Sequence, residues 1–466
     1  MIKQFTFLVG IGFLNLFVFA GIFNLLQNDK IYQNSLGRIS QNYEKVEHGE
    51  EYEIFKTSKP FQKINDQNFL MGDAGIYKCI SERMYRPEQN CYGTVRAAFF
   101  PLFPLLWKLV NGSPWAISFL NYCMFFCSIA ILVMLLLKTT FTNKLIFYSV
   151  LITLPSTIIY YIPYTEALFL FTMTIASVGI LKNKYWLYFL GFFLMAMVRP
   201  ATAFILLSIW LAEILLLVRE KDIRQFFKNI IFRTFPFIIG YFLAFFIQYR
   251  SSGSWTSYID AQKHWGGKIQ FMDSISDWSI EGFGLSSFAL FFVGVPSFIL
   301  VISKLVKWEK ILAMDSIKKT MDYKIEYLGL ISVFYLAGMF VFTLLTSGGS
   351  LHSYFRFTLT SPPFYIVTIL FLNYVLENPI KPVILLFSAC IALLSLWLYF
   401  VSFGGDRFQF SFFGLYLFLA TSFFMIVKIN MSLRMQISIL IVLIILSTIW
   451  NAYLLNDFYC DGWLFT

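Results

Sequence analysis

Charge is scarce in this chain: Asp, Glu, Lys and Arg make up 13% of its 466 residues, against 58% hydrophobic side chains. A water-soluble fold of that length would have too little polar surface to cover it, which excludes a soluble globular protein. Histidine is scarcer still. Three histidines and six cysteines are present, and no Cys/His cluster has metal-ligand spacing, so neither a divalent metal nor another cofactor is indicated. The chain also lacks a glycine-rich phosphate loop of the Walker or dinucleotide kind, which leaves ATP-driven transport without an engine. There is no internal repeat of fixed period and no low-complexity tract. No basic stripe interleaved with aromatics marks a soluble domain, so nothing points to nucleic acid.

What the chain has is apolar length. Runs near the roughly 20 residues that a helix needs to cross the hydrocarbon core recur throughout. They are continuous rather than alternating, which predicts helices and not barrel strands. Candidate spans cover residues 6–27, 115–137, 145–162, 165–181, 185–198, 201–218, 234–249, 286–303, 326–346, 357–376, 382–402, 410–428 and 436–455. The expected fold is an all-α polytopic membrane protein with about 13 (11–13) transmembrane helices in a single integral membrane domain, 1–466. The pairs 145–162 with 165–181 and 185–198 with 201–218 also admit re-entrant or kinked forms around Pro163 and Pro200. Lys3 precedes a long apolar core with no small-residue cleavage site, so the first run reads as an uncleaved helix.

Basic residues in short loops set the orientation. Lys3, Lys138, Lys144, Lys182, Lys184, the segments 219–233 and 304–324, Lys381, Lys428 and Arg434 fall on one side, expected to be cytoplasmic. The other side carries the loop 28–97, the loop 250–285 and the turns near 163, 199, 347–356 and 403–409. Residues 28–97 hold ten basic and ten acidic residues, so the formal surplus of +10 lies wholly outside them and is a topology signal. Cys123, Cys127 and Cys390 fall in spans, where a buried inert thiol is usual. Cys79 and Cys91 share the first loop with eleven residues between them, a spacing that permits a disulfide in an oxidising compartment.

Within the first loop, residues 40–66 read as a polar surface excursion that returns to the membrane at Phe69-Leu70-Met71. A short helix is expected from Asp73 through Tyr85, then a Pro87–Gly93 loop and an amphipathic Phe99–Val110 stretch, giving a pair of interfacial helices. Asp73 is a candidate general base, and an isolated Asp there is otherwise a helix cap or a solvated carboxylate. Glu166 follows Pro163 and Tyr164 at the mouth of an apolar run, where a first-turn acid is favoured by the helix dipole in any case. Arg199-Pro200 interrupts an apolar stretch, an arginine that either serves a site or snorkels. Gln262-Lys263-His264-Trp265 offers hydrogen-bonding and stacking groups for a sugar or phosphate in a loop where an aromatic belt is common. Arg356 stands before Pro362-Pro363 at the start of a span.

Order and spacing join these blocks. Gly72-Asp73-Ala-Gly-Ile-Tyr77, Ala98-Phe99-Phe100-Pro101-Leu102-Phe103-Pro104, Tyr164-Thr-Glu166-Ala-Leu168, Val198-Arg199-Pro200-Ala-Thr, Ala261-Gln262-Lys-His-Trp265-Gly266 and Arg356-Phe357-Thr-Leu359 with Pro362 and Pro363 follow one another over roughly residues 60–365. The set resembles the PIG-V-like branch of the GT-C superfamily, whose eukaryotic members are glycosylphosphatidylinositol mannosyltransferases and which has many bacterial relatives. Gly72 departs from the pattern, since the family usually has Trp there.

The resemblance implies a GT-C-like bundle and a glycosyltransferase that moves a hexose, mannose by family analogy, from a polyprenyl-phosphate donor to a hydroxyl of a lipid, glycan or protein acceptor. The expected mechanism is inverting. Asp73 is the base, Glu166 and Arg199 act with it, and Tyr77, Phe100, Tyr164, Gln262, Lys263, His264, Trp265 and Arg356 bind substrate. One carboxylate suffices when the leaving group is already a phosphate, and cationic donors stabilise that group as charge develops. The alternative is a flippase or secondary transporter of a lipid-linked or sugar substrate, which predicts midplane polar residues and related halves that the sequence lacks. The abundance of Phe, Ile, Lys and Asn fits an AT-rich bacterial genome, so the expected location is a bacterial inner membrane with the site facing the periplasm or exterior.

Overall fold

The structure is a computed structural model that describes residues 2–35, 41–48, 51–58, 61–63, 65–86, 93–264, 285–305, 323–346, 354–378, 384, 386–393, 408–429 and 431–461. Most of the expected span 382–402 and the greater part of the segments 250–285 and 304–324 lie outside the described residues, as do 347–353, 403–407 and the 87–92 part of the expected loop.

Helices dominate. The long ones are α1 (Ile2–Leu26), α5 (Pro114–Leu136), α7 (Glu166–Lys182), α9 (Thr202–Glu220), α10 (Ile223–Ser252), α14 (Tyr323–Thr346), α16 (Pro362–Glu377), α17 (Phe408–Lys428) and α18 (Leu433–Asp461). Shorter ones are α2 (Asp29–Ser35), α3 (Asp73–Arg83), α4 (Leu102–Val110), α6 (Phe141–Leu151), α8 (Tyr185–Ala196), α11 (Ser257–His264), α12 (Leu285–Ala289), α13 (Val295–Leu305) and α15 (Tyr354–Thr358). Among the described residues six helices are long and apolar enough to cross a membrane, or seven if the bent pair formed by α6 and the Pro155–Tyr161 turn counts as one span. Their outward faces are apolar: Phe17 is 73% exposed, Val218 68% and Ile231 66%, the surface of a multi-pass membrane protein. A count of about 13 is not reached by length and composition, because several apolar helices, such as α8 and α16, are too short to cross alone.

Two expectations are revised. The polar excursion at 40–66 contains an antiparallel hairpin, β1 (Gln41–His48) with β2 (Glu51–Ser58), pairing Gln41 with Ser58 and His48 with Glu51. It interrupts the all-α pattern, and Glu51-Tyr52-Glu53-Ile54 alternates with the period of two that favours strands. The basic segment 219–233 is a helix junction rather than a loop. Lys221 turns the chain at φ 59°, the Asp222 carboxylate accepts the Gln225 N–H at 2.9 Å, and α10 starts at once. With 30 residues α10 is about 45 Å long, so it projects beyond the hydrocarbon core that the expected span 234–249 would fill.

The two short helices expected in this part of the chain are present as α3 and α4, joined in part by a 3₁₀ turn at Gly93–Ala98. Cys79 on α3 is disulfide-bonded, while Cys123, Cys127, Cys390 and Cys460 are free; Cys91, the partner expected from spacing, lies outside the described residues. At the other end of the fold α7 and α8 form a close hairpin. A Cβ at Gly191 would collide with the backbone of Ala176, so both helices approach as only glycine permits.

The break expected around Pro163 comes earlier: α6 meets the Pro155–Tyr161 turn at 73° across residues 152–154, inside the expected span 145–162, and the chain from there to α7 is a buried stretch of irregular backbone. Backbone of this kind survives inside a membrane protein only if its carbonyls find partners. They do. Asn121 on α5 donates its amide to the carbonyls of Ile162 and Tyr164 at 2.7 and 2.8 Å, Ser118 donates to Tyr161, and Asn451 on α18 donates to Thr153 at 3.0 Å. Stacking of Tyr160 on Phe125, with centroids 4.1 Å apart, fixes the same segment from the side. Asn121→Leu keeps the volume but takes the amide donor from the Tyr164 carbonyl and leaves the Ile162 carbonyl with the Tyr164 N–H alone, so it should cost about 1–3 kcal/mol and lower the unfolding temperature of the purified protein. Thermal unfolding that matches wild type would remove Asn121 from this role.

Candidate functional site

Four segments distant in sequence meet at the end of the bundle where α7 and α9 begin. Gly72 precedes α3 at φ 56° and ψ −136°, a conformation open to glycine and strained for a side chain such as Trp. The turn sets Asp73 as the first residue of α3, where its N–H donates to the Tyr164 hydroxyl at 3.2 Å. Tyr164 and Glu166 arrive on the irregular stretch braced by Asn121. Arg199 sits in the break between α8 and α9, where the Thr202 hydroxyl donates to the Arg199 carbonyl at 2.8 Å. Arg356 is carried by α15. Ser361 then accepts the Phe364 N–H and Pro362 opens α16, a cap followed by a proline that ends one helix and starts another.

The charged side chains form one network. Arg356 donates through Nη2 to Asp73 Oδ2 at 2.9 Å and to Glu166 Oε1 at 3.0 Å, and through Nε to the same Glu166 oxygen at 3.1 Å. Arg199 reaches Glu166 Oε1 at 3.2 Å. Glu166 is wholly buried, and its Oε2 has no hydrogen-bond partner among the described residues. Asp73, Arg199 and Arg356 each keep a small exposed fraction, 14%, 12% and 12% of the side chain. The guanidinium of Arg356 lies 4.7 Å from the Tyr164 ring centre and that of Arg199 5.1 Å from Phe357.

Aromatic residues wall the cluster. Tyr77 packs edge-on against Phe99 and Phe103 at 5.2 and 5.1 Å, and its hydroxyl donates to Thr165 Oγ1 at 3.4 Å. Burial, and then the Asp73 charge, raise the Tyr77 phenol well above its usual range, so it remains a donor. Phe100 points away from the charges and packs on Tyr241, Phe245 and Tyr258. Through Tyr258 it couples the 99–104 segment to α11, the helix that carries Gln262 and Lys263.

The structure therefore joins Asp73, Glu166, Arg199, Arg356, Tyr77 and Tyr164, and separates others. Lys263 is 71% exposed and pairs with Asp260 at 2.8 Å, on the solvent side of α11. That contact and the Thr256 hydroxyl hold the Asp260 carboxyl below its usual range. Gln262 is half-buried beside it without a described bond to the network. The His264 side chain and Trp265 lie outside the described residues.

Two supports escaped the sequence reading. Gln248 in α10 donates to the Ala97 carbonyl at 2.9 Å, and the Tyr85 hydroxyl donates to that of Phe99 at 2.7 Å, which fixes the segment behind Tyr77. Asn121 stands alone in an apolar run, the one signal that could have marked it, while Gln248 sits at the end of such a run, two residues before Arg250. A second buried ion pair, Glu213 with Arg233, joins α9 to α10 nearer the other end of α9, with the Arg233 guanidinium 4.1 Å from the Tyr327 ring centre.

Among the described residues no group of His, Cys, Asp and Glu has the geometry to hold a metal. Among known proteins, the chain matches no family model, no curated sequence and no solved structure.

Arg356→Ala leaves Glu166 with Arg199 alone and Asp73 without a cation. Breaking a buried pair from one side typically costs about 3–5 kcal/mol, so the variant should unfold at markedly lower temperature. Adding Glu166→Gln to Arg356→Ala should recover part of that loss. A purely additive cycle would show that the two side chains do not act as a unit.

Proposed function

We propose that this protein is an integral membrane glycosyltransferase of the GT-C type, PIG-V-like, that transfers a hexose from a polyprenyl-phosphate donor to an acceptor hydroxyl at the extracytoplasmic face of a bacterial inner membrane. The observation that carries the reading is the convergence of Asp73, Glu166, Arg199 and Arg356 on one ion network. A helix cap, a first-turn acid and a snorkelling arginine, each acting separately, have no reason to meet. Apolar helices too short to cross alone leave room for the bundle of about 13 spans that this reading carries.

The chemistry follows from the charges. Before the donor arrives, Arg356 neutralises Asp73 and, with Arg199, neutralises Glu166. The donor phosphate supplies a competing anion, which draws the guanidinium groups toward itself while Glu166 keeps hold of them. Asp73, released from its cation, accepts the proton of the acceptor hydroxyl as that oxygen bonds to the anomeric carbon. The bond from that carbon to the phosphate oxygen breaks, the configuration inverts, and the polyprenyl phosphate leaves with the electron pair. Developing charge on the leaving oxygen strengthens its contacts to Arg199 and Arg356, so these residues act more in the transition state than before it. Tyr77 and Tyr164 bound the space in which the sugar would sit.

Orientation is part of the proposal. Thr202 and Arg219 stand at opposite ends of α9, about 26 Å apart at helical rise, close to one hydrocarbon thickness. Thr202 lies with the Arg199 network, whereas Arg219 pairs with Glu326 at 3.1 Å among the basic residues that set the cytoplasmic side.

Asp73→Asn keeps the shape but cannot take a proton, so turnover of labelled polyprenyl-phosphate sugar by purified enzyme should fall by about 10²–10⁴-fold while donor binding persists. Arg199→Ala should weaken both donor binding and turnover. Full activity in Asp73→Asn would sink the assignment of the base. With the native free thiols replaced, a membrane-impermeant thiol reagent should label Thr256→Cys and spare Lys221→Cys in intact cells; the reverse pattern would invert the topology.

A further inference from the structure

A cavity of about 490 Å³ walled by Glu82, Arg83, Met84, Arg86 and Lys108 takes no part in the ion network. It lies at the far end of α3, ten residues beyond Asp73 and so about 15 Å along the helix axis. The acid in its wall is already engaged, because Lys78 Nζ pairs with Glu82 at 3.1 Å and also lies 5.6 Å from the Trp107 ring centre. Arg83, Arg86 and Lys108 line the same space, and none of them pairs with a carboxylate among the described residues. Three exposed cations lining one open depression give it a positive potential that favours an anion there.

The local backbone is shaped to hold them there. Met84 ends α3 at φ 56° and ψ −148°, and its N–H donates to the Ile80 carbonyl at 2.8 Å. The chain reverses at that point, and Arg96 donates to the Arg86 carbonyl, tying the returning segment down. Beside Lys108 the surface turns apolar. Leu109 is 83% exposed, Val110 46% and Trp115 53%, which is a surface for acyl chains rather than water.

We propose that Arg83, Arg86 and Lys108 form a binding site for the phosphate group of an anionic membrane lipid, whose chains run along Leu109, Val110 and Trp115. This site stands apart from the sugar-transfer network and does not depend on the reading of that network. Guanidinium groups give bidentate recognition of a phosphate, and Lys108 adds a point charge from the second helix. A free phosphate would use the same three cations but leave the apolar flank idle.

The test is equilibrium binding of short-chain phosphatidylglycerol to the detergent-solubilised full-length protein. Diacylglycerol of the same chain length and inorganic phosphate serve as the other two ligands. Arg83→Gln/Arg86→Gln/Lys108→Gln should raise the dissociation constant for phosphatidylglycerol at least about tenfold. Arg83→Lys/Arg86→Lys, which keeps the charges but gives up the bidentate contacts, should bind more weakly than wild type and more tightly than the triple Gln variant, a graded loss that reports an intact fold. Lys221→Gln should change nothing. Equal affinity of the triple Gln variant and wild type would overturn the site. Displacement of the lipid by inorganic phosphate at equal concentration would assign the cations to a soluble phosphate and overturn the lipid.

Discussion

One carboxylate held by two guanidinium groups organises this molecule. Glu166 is wholly buried, and an ion stripped of water costs several kcal/mol unless its partners are placed well. Three N–H contacts from Arg356 and Arg199 converge on its Oε1, and the same Arg356 extends to Asp73. The network therefore fixes α3, the start of α7, the break between α8 and α9, and α15 against one another. Irregular backbone near residue 160 is tolerated for the same reason. It delivers Tyr164 and Glu166 to the network, and its carbonyls are satisfied by Asn121, Ser118 and Asn451.

Much of this site was legible in the sequence because charge is rare there. Glu166, Arg199 and Arg356 stood out at the edges of apolar runs, where a charge needs a partner, whereas Asp73 lies in a loop with ten basic and ten acidic residues and was marked by its block Gly72-Asp73-Ala-Gly-Ile-Tyr77. Their mutual pairing was not legible, since Arg356 and Asp73 are 283 positions apart and nothing local couples them. Lys263 shows the opposite failure. Its neighbours looked like a ligand site, but Asp260 three residues away satisfies it on an exposed helix face. The basic run 219–233 was read as a loop because lysine and arginine were counted as topology signals; the apolar Ile223, Phe227 and Ile231 between them extend α10 instead. The hairpin at β1 and β2 carried a period of two that was hidden by its high polarity.

Gly72 occupies a position whose backbone conformation favours glycine. Its left-handed turn aims the first residue of α3 at Arg356, and a Trp in that conformation would be strained. The aromatic wall that such a Trp could supply is built here from Tyr77, Phe99 and Phe103.

The ion network also constrains how the chain is made. Glu166 emerges from the ribosome 190 residues before Arg356, an interval of about 10–40 s at ordinary synthesis rates. Through that interval the acid has Arg199 at most, and Asp73 has no cation of the network at all. The early acids must then stay solvated, protonated or partly paired until α15 arrives. Closure of the network is therefore set by the later half of the chain, and a chain truncated before residue 356 would leave Asp73 without its cation.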